Sequence, residues 1–203
     1  MNKWEKNKQA KQAAILSSAL TIFSEKGYTA AKIADIARAA GVGKGTIYEY
    51  YRNKEALFFA VFQWYTDFLA GNSMVDAASL GGNAARRLNA LMRSTFMAVY
   101  DQLDTFSVFL EFWAAAGNPA IRERYRVSML NMYEKLTTLI AGLVEEGKRS
   151  RVFHPDLDVH ATAMGLVSSL DGLMLQAWMD RTFDAPTAAN RFFDTVIRGM
   201  RAK

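Results

Sequence analysis

The chain contains no cysteine, and it has only three prolines and two histidines among its 203 residues. The absence of cysteine excludes disulfide frameworks, thiolate catalysis and cysteine-ligated zinc or iron–sulfur sites. No proline occurs before Pro119, which favours helices over strands joined by turns. No uncharged apolar run approaches the roughly 18 residues of a membrane span, and residues 1–11 are charged rather than apolar. We therefore expect a cytoplasmic protein without a membrane partner.

Few residues are available for catalysis or for metal binding. With two histidines and no cysteine, no Ser-His-Asp grouping has support in the sequence. His154, Asp156, Asp158 and His160 lie close together, but they adjoin the start of a predicted helix, where acidic residues favour the positive end of the helix dipole. We therefore expect capping rather than metal binding there, and no enzyme and no cofactor.

The excess of positive charge lies in the first quarter of the chain. Residues 1–55 hold 10 lysines and arginines against 5 acidic residues, whereas residues 56–203 hold 15 of each. A basic segment followed by a neutral one favours a polyanionic partner for the first and a different role for the second. A lysine-rich, solvated surface is the alternative interpretation of the same charge.

Nearly every segment has the apolar spacing of an amphipathic helix. Gly27 and Gly41 are predicted to end helices, and Thr29, Asn53 and Asn118 to cap them. Pro119 and Pro186 are predicted to open the seventh and the last helix. Gly71 to Asn83 and residues 150–156 are predicted loops. The sequence therefore predicts an all-α chain of about nine helices, over residues 8–26, 29–40, 44–50, 54–69, 84–101, 105–116, 119–149, 158–180 and 186–201.

Residues 33–50 have the pattern of two short helices joined by a tight turn. Ala37 is small where the helices would cross, and Gly41, four residues later, falls where the turn favours positive φ. Apolar residues stand at spacings that could pack the pair against the first helix. This order of small, glycine and apolar residues matches the helix-turn-helix, which places its second helix in the major groove of DNA.

The run TAAKIADIARAAGVGKGTIYEYYRNKEALF, residues 29–58, resembles the DNA-binding domain of TetR-family transcriptional regulators. The resemblance is closest in IADIARAAGV, GTIYEYY and NKEAL, and it extends over residues 8–62. It implies a helix-turn-helix DNA-binding domain at residues 1–54 and a larger helical domain for ligand binding and dimerisation at residues 55–203. Gly43 departs from the family pattern, in which serine is frequent, so position 43 is not counted as a side-chain contact.

The resemblance implies DNA contacts on the second helix of the motif. Thr46 and Tyr48 can donate hydroxyl hydrogen bonds to phosphates, whereas Lys44 and Tyr50 are the better candidates for base edges. In the alternative interpretation, Tyr48 and Tyr50 are packing aromatics.

Further contacts are predicted at helix starts, and two residues of the motif are predicted to be core. Thr29 and Lys32 begin the preceding helix and Lys54 begins the fourth, where free backbone N–H groups can meet a phosphate. Ile47 and Tyr51 are predicted core residues.

Large apolar side chains are concentrated in the second part of the chain. Methionine occurs ten times, and its flexible thioether suits surfaces that accept varied apolar shapes. A pocket between helices for an uncharged or amphipathic molecule is one interpretation, and an ordinary methionine-rich core is the other. The predicted pocket residues are Phe96, Tyr100, Phe109, Trp113, Tyr125, Met129, Met132, Tyr133, Met174 and Trp178.

The last two helices carry apolar residues on more than one side, which implies burial on more than one side. In the family that the chain resembles, this pair typically builds a dimer four-helix bundle. Completion of a monomer core is the alternative. The predicted dimer residues are Leu166, Leu170, Leu173, Phe193, Val196 and Ile197.

These patterns and the resemblance together predict a homodimeric transcriptional regulator. We expect a repressor that binds a pseudo-palindromic operator in double-stranded DNA and is released by a small-molecule effector. A helical enzyme or small-molecule carrier without specific DNA binding is the alternative from another class. A ligand-independent DNA-binding protein with a filled core is a further alternative.

Overall fold

The structure is a computed structural model, and it describes residues 2–74, 81–115, 117, 119 and 122–202. In this part of the chain nine α-helices account for almost all regular structure, which confirms the all-α prediction. A 3₁₀ turn at Leu103–Thr105 precedes the sixth helix. The helices are α1 Lys3–Ala30, α2 Ile33–Ala39, α3 Lys44–Tyr50, α4 Lys54–Met74, α5 Ala84–Tyr100, α6 Phe106–Ala115, α7 Arg122–Arg149, α8 Val159–Met179 and α9 Ala185–Gly199.

Helix α1 begins five residues earlier than its apolar spacing predicts. Asn2 and Glu5 form a capping box, in which each side chain accepts a hydrogen bond from the backbone N–H of the other residue. The predicted end at Gly27 is confirmed, because this glycine has φ of +72° and kinks the chain before a last turn that ends at Ala30.

The predicted cap of α2 is wrong. Thr29 lies in the turn that follows Gly27, and the N-cap position of α2 is Lys32, whose side chain makes no capping hydrogen bond. Ala31 is extended between the two segments, so the chain leaves helical geometry after Ala30 and re-enters it only at Ile33.

The other helix starts follow their local sequence more closely. The side chains of Asn53, Asp158 and Asp184 accept hydrogen bonds from N–H groups in the first turns of α4, α8 and α9. Asp158 therefore caps a helix, as expected. Pro186 lies in the first turn of α9, where its missing N–H is tolerated.

Two boundaries differ from the sequence prediction. Gly71 is still helical, because α4 continues to Met74, inside the predicted loop. Residues 75–80 of that loop lie outside the described residues. Helix α7 begins at Arg122 rather than at Pro119, which lies in a turn. The predicted cap of α7, Asn118, lies outside the described residues.

The chain divides into two compact units, each made from two stretches of sequence. The first comprises Met1–Asp67 and Asp104–Ser128, so it combines α1 to α3 with the beginning of α4, with α6 and with the beginning of α7. The second comprises Phe68–Leu103 and Met129–Lys203. The predicted functional division into residues 1–54 and 55–203 follows different boundaries and stays a prediction.

Aromatic side chains form a large part of the core of the first unit. Phe58 lies at the centre, with its ring centroid 5.0 Å from that of Phe23, 4.5 Å from Tyr28 and 4.3 Å from Phe112. The quadrupoles of the aromatic rings favour tilted and edge-on arrangements of this kind. The cluster packs α6 against the helices that flank the helix-turn-helix.

The second unit has an aliphatic core between α5, α8 and α9. Leu88, Leu91, Leu166, Phe193 and Ile197 are each at most 3% exposed. The ring of Phe153, in the connection between α7 and α8, packs directly on Gly147, and its backbone bridges to Arg201. This packing holds the 150–156 loop close to both helix ends.

Candidate nucleic-acid interface

The turn between α2 and α3 has the geometry that its sequence predicts. Gly41 has φ of +66°, and no atom lies within 4 Å of the position where a Cβ would stand. Backbone conformation, rather than crowding, is therefore the reason for glycine at this position. The N–H of Val42 donates to the carbonyl of Ala37 at 3.0 Å, and Ala37 is buried where the helices meet.

Helix α3 separates a core side from a solvent side. Ile47 is fully buried and Tyr51 is 7% exposed, which confirms both as core residues. Lys44 is exposed at the first position of the helix, and Tyr48, one turn later, is 53% exposed. The lysine and the tyrosine project from the same side of the helix into solvent, as a DNA-reading helix requires.

Tyr50 and Thr46 are partly buried at the edges of this surface. The hydroxyl of Tyr50 donates to the backbone carbonyl of Lys8 in α1 at 3.4 Å. The amide of Gln12, one turn further along α1, donates to the hydroxyl of Tyr51 at 3.3 Å. Both tyrosines therefore help to position the recognition helix against α1, and base contact by Tyr50 stays a prediction.

Lys54 has contacts that its sequence context does not indicate. Its ammonium donates to the carbonyls of Tyr28, Thr29 and Ala31 at 2.8, 3.1 and 3.1 Å. It also lies 4.6 Å from the centroid of the Tyr28 ring. All three donors of the ammonium are thus used within the protein, so a phosphate contact at this point would come from the N-terminus of α4.

Glu111 of α6 holds the same connection from the other side. Its two carboxylate oxygens lie 3.0 and 2.9 Å from the backbone nitrogen of Tyr28, which donates to them. A Cβ built at Gly27 would stand 3.1 Å from one of these oxygens. The residues from the kink in α1 to its C-cap, Gly27–Ala31, are named here the α1–α2 connection. The Lys54 ammonium thus binds carbonyl groups of the α1–α2 connection, and the Glu111 carboxylate binds one of its N–H groups.

The remaining predicted DNA-contacting residues, Thr29 and Lys32, are exposed; Thr29 lies in the last turn of α1 and Lys32 is the N-cap residue of α2. Nearby, Lys26 forms an ion pair with Asp35 at 2.8 Å. The hydrogen bond from Lys26 lowers the pKa of the Asp35 carboxyl. Lys26 is therefore paired with a carboxylate of α2, whereas Lys32 projects into solvent beside it.

Three of the predicted pocket residues lie in the first unit. Phe109 and Tyr125 belong to its aromatic core, whereas Trp113 is 37% exposed. The hydroxyl of Tyr125 is buried and has no hydrogen-bond partner among the described residues. Burial, followed by the charge of Glu55, raises its pKa. Tyr125 is thus a protonated donor without an acceptor in an aromatic environment.

The other seven predicted pocket residues lie in the second unit. Phe96, Met129 and Met174 are buried, and the remaining four are half-buried: Tyr100, Met132, Tyr133 and Trp178. The Tyr133 hydroxyl donates to the Asp171 carboxylate at 2.9 Å. Burial raises the pKa of Asp171, although this hydrogen bond opposes the shift. Asp171 and Tyr133 therefore form a half-buried polar pair.

The predicted dimer residues divide by burial. Leu166, Leu170, Phe193 and Ile197 pack inside the second unit, so they have little surface left for a second copy. Leu173 and Val196 are half-buried. Three large apolar side chains of these helices that were not predicted as dimer residues are exposed: Met164, Met179 and Phe192, which are 50%, 73% and 40% exposed. Helical periodicity alone did not separate them from the core.

Comparison with known sequence families decides what this helix-turn-helix belongs to. The profile of bacterial regulatory proteins of the tetR family matches residues 15–61, and that of the C-terminal part of BetI-type transcriptional repressors matches residues 84–200. The chain belongs to the tetR family of regulatory proteins. It is a DNA-binding transcriptional regulator with an N-terminal helix-turn-helix and a C-terminal ligand-binding domain.

Individual relatives match this tetR-family regulator over most of the length of both chains. The transcriptional regulator BetI of Escherichia coli O127:H6 is 29% identical over 176 residues, which are 86% of each chain. The regulator FadR of Bacillus subtilis, solved with stearoyl-CoA, has a TM-score of 0.69 at 20% identity, over 93% of this chain and 99% of its own. A regulator of Saccharomonospora viridis, solved with choline, has a TM-score of 0.73 at 22% identity, over 92% and 95%. The two structures show that the fold is shared.

None of the helices in the described part of this regulator is long and apolar enough to cross a membrane.

Proposed function

We propose that this regulator is a cytoplasmic homodimeric repressor that binds a pseudo-palindromic operator in double-stranded DNA and leaves it when a small effector binds. It acts by binding alone, without a catalytic step. The observation that carries the DNA-binding role is α3, which exposes Lys44 and Tyr48 while Ile47 and Tyr51 anchor it in the core. The basic excess of residues 1–55 supplies the attraction to phosphate.

The proposal assigns different roles to the two parts of the chain. Residues 1–54 contact DNA through Thr29, Lys32, Lys44, Thr46, Tyr48 and Tyr50 and through the helix start at Lys54. Residues 55–203 bind the effector and the second subunit. Glu111 links the two functions, because it stands on α6 and its carboxylate binds the α1–α2 connection directly. A shift of α6 would therefore move the connection that precedes the helix-turn-helix.

The effector in this proposal is an amphipathic molecule with a large apolar part. The apolar character of the ten predicted pocket residues supports it, and so does the relative that was solved with stearoyl-CoA. The unpartnered Tyr125 hydroxyl supplies a donor for a polar group of such a molecule.

An organic cation is the second candidate effector. Asp171 is a half-buried carboxylate that accepts a hydrogen bond from Tyr133, and aromatic faces attract quaternary ammonium groups. The relative that was solved with choline supports this class. Asp171→Asn would abolish a response to choline and leave a response to an acyl chain intact, so the variant separates the two candidates.

Dimer formation is proposed through the exposed sides of α8 and α9. The apolar side chains there are Met164, Met179 and Phe192, with the half-buried Leu173 and Val196 beside them. A two-fold dimer presents one recognition helix to each half of a pseudo-palindrome.

Selection of bound duplexes from a random pool tests the proposal. We expect an enriched pseudo-palindrome with half-site centres about 10 base pairs apart, or a multiple of that spacing. Affinity for the selected duplex is expected to fall steeply as salt concentration rises. A helical carrier or enzyme would enrich no motif. A ligand-independent DNA-binding protein would enrich one, but no compound in an apolar library would release it.

A further inference from the structure

Helices α5 and α9 of the second unit enclose a groove with a volume of about 760 Å³. Its floor is apolar, formed by Ala85, Ala90 and Ile197. Its rim is polar, and every ionisable side chain except one is an arginine: Arg86 and Arg93 from α5, Arg198 from the end of α9 and Arg201 just after that helix, with Asp194 as the single acid. The volume lies within the usual range for small-molecule sites, about 300–1,000 Å³.

The carboxylate of Asp194 is already engaged by side chains of α5. It accepts from the amide of Asn89 at 2.7 Å and from the guanidinium of Arg93 at 2.8 Å. These two hydrogen bonds lower its pKa, so it is ionised at neutral pH. Its charge therefore compensates mainly Arg93, and Arg198 interacts with it more weakly without forming an ion pair.

The other three arginines of the groove and one atom of Arg93 are free to bind a ligand. Arg86, Arg198 and Arg201 are exposed and form no ion pair with any carboxylate in the described part of the chain. The Nε of Arg93 is buried and has no hydrogen-bond partner among the described residues. The groove thus combines unpaired guanidinium groups from two helices with one donor that water does not reach.

We propose that this groove binds a small organic molecule with a diphosphate or longer phosphate group. Guanidinium groups bind phosphate oxygens with two parallel hydrogen bonds, and arginines on facing helices suit a ligand with at least two phosphoryl groups. Asn83, the cap of α5, lies at one end of the groove, so the positive end of that helix dipole adds to the attraction. The apolar floor and the Asn83 amide accept the organic part.

This site is distinct from the DNA-reading surface and from the predicted pocket. None of its lining residues belongs to residues 1–54 or to the ten predicted pocket residues. On α9 the groove side contains Asp194 and Arg198, whereas Phe192 and Val196 project from other sides of the helix at its period of about 100° per residue. The dimer surface proposed above and the groove can therefore be occupied together.

Calorimetric titration of the full chain with inorganic pyrophosphate, without DNA and at low ionic strength, tests the proposal. Wild-type protein is expected to bind it at one site per chain. Arg198→Gln/Arg201→Gln removes two cations from the α9 side of the groove. It is expected to weaken the affinity at least about tenfold, because the loss of one charge-assisted hydrogen bond alone lowers affinity by about that factor. Arg86→Gln, on the facing helix, is expected to weaken it as well.

Arg149→Gln/Arg191→Gln is the matched control, since it removes the same charge from exposed positions of the same unit outside the groove. Its pyrophosphate affinity is expected to stay within about twofold of wild type. The proposal is overturned if wild-type protein does not bind pyrophosphate at millimolar concentration, or if the control loses as much affinity as the groove variants.

Affinity for a selected duplex distinguishes a small phosphate ligand from the backbone of DNA. The groove variants are expected to bind the duplex as the wild type does, with the same salt dependence. A loss of duplex affinity and of salt dependence in Arg198→Gln/Arg201→Gln, without pyrophosphate binding in the wild type, would assign the groove to DNA and overturn the proposal.

Discussion

At the scale of single residues, two charged side chains have structural partners that their sequence context does not reveal. Lys54 and Glu111 are 57 positions apart in the sequence, yet both bind the α1–α2 connection through its backbone. A carbonyl or N–H group in such a turn lacks helical partners, so a charged side chain that satisfies it contributes more than an exposed ion pair. These two residues thus hold the backbone that leads into α2.

Replacement of Lys54 by methionine is expected to lower the free energy of unfolding by about 1–3 kcal/mol, because three carbonyls lose their donor while the apolar stem remains. Urea denaturation measures the change. Lys32→Met is the matched control, since Lys32 is exposed nearby and makes no capping bond. Equal stability of the two variants would contradict the structural role of Lys54.

Glu111→Gln tests the link between α6 and the α1–α2 connection. The amide keeps one acceptor but loses the charge, so we expect a smaller loss of stability, about 0.5–1.5 kcal/mol, and a weaker release of DNA by the effector. Effector titration of the operator complex measures this release. Glu123→Gln, a variant of an exposed carboxylate at the start of α7, is expected to respond as the wild type does.

Tyr125→Phe is expected to leave the stability unchanged or to raise it by about 1 kcal/mol, because it removes a buried hydroxyl without a partner. If that hydroxyl serves the effector, the variant also needs a higher effector concentration to release DNA. Thermal unfolding and effector titration measure the two changes. A clear loss of stability would show that the hydroxyl has a partner in the folded protein.

At the scale of elements, the recognition helix follows from local sequence, whereas the α7–α8 connection depends on a tertiary contact. Gly41 sets the turn before α3 through its positive φ alone. Gly147 has no unusual φ, but the ring of Phe153 occupies the space that a Cβ would take. The same residue type is therefore required for two different reasons.

Lys44→Ala is expected to change the base preference of the protein. The binding free energy that discriminates between bases at one position of the half-site is expected to fall by about 1–3 kcal/mol. Lys32→Ala is expected to weaken binding to all DNA sequences similarly. It is also expected to reduce the slope of log affinity against log salt concentration by about one, as the loss of a phosphate contact does. Repeated selection with each variant, together with salt titrations, measures the two effects. If Lys44→Ala selects the same DNA motif as the wild type, the prediction that Lys44 contacts a base is wrong.

Gly147→Ala is expected to destabilise the protein by about 3 kcal/mol or more, because the added methyl group overlaps a buried ring and displaces the connection after α7. Gly142→Ala is the matched control one turn and a half earlier in α7. Nothing lies within 4 Å of its Cβ position, so alanine there is expected to stabilise the helix by up to about 1 kcal/mol. Thermal unfolding of both variants measures the contrast.

At the scale of the whole molecule, the apolar surface of α8 and α9 is the feature that a second subunit would cover. Phe192→Asp and Val196→Asp are expected to give folded monomers, because a charge at a subunit interface would be buried without a partner. Leu170→Asp is expected to unfold the chain instead, since Leu170 is 6% exposed within its own unit. Light scattering at micromolar concentration and circular dichroism distinguish the outcomes, and a monomeric wild-type protein would contradict the dimer.

The sequence by itself determined the features that depend on neighbouring residues. Helix existence, the caps Asn53 and Asp158, the turn at Gly41 and the core positions Ile47 and Tyr51 all follow from local spacing and side-chain chemistry. The charge division of the chain and the resemblance of residues 29–58 determined the class of protein in the same way.

Only the tertiary structure decided which distant residues meet. The partners of Lys54 and Glu111, the start of α2 at Ile33, the division of the predicted pocket residues between two units and the arginine groove between α5 and α9 all require contacts across long stretches of chain. Helical periodicity places a residue on a face of its own helix, but it does not say which helix that face meets. For this reason the exposed Met164, Met179 and Phe192 could not be separated from the buried leucines beside them until the packing was known.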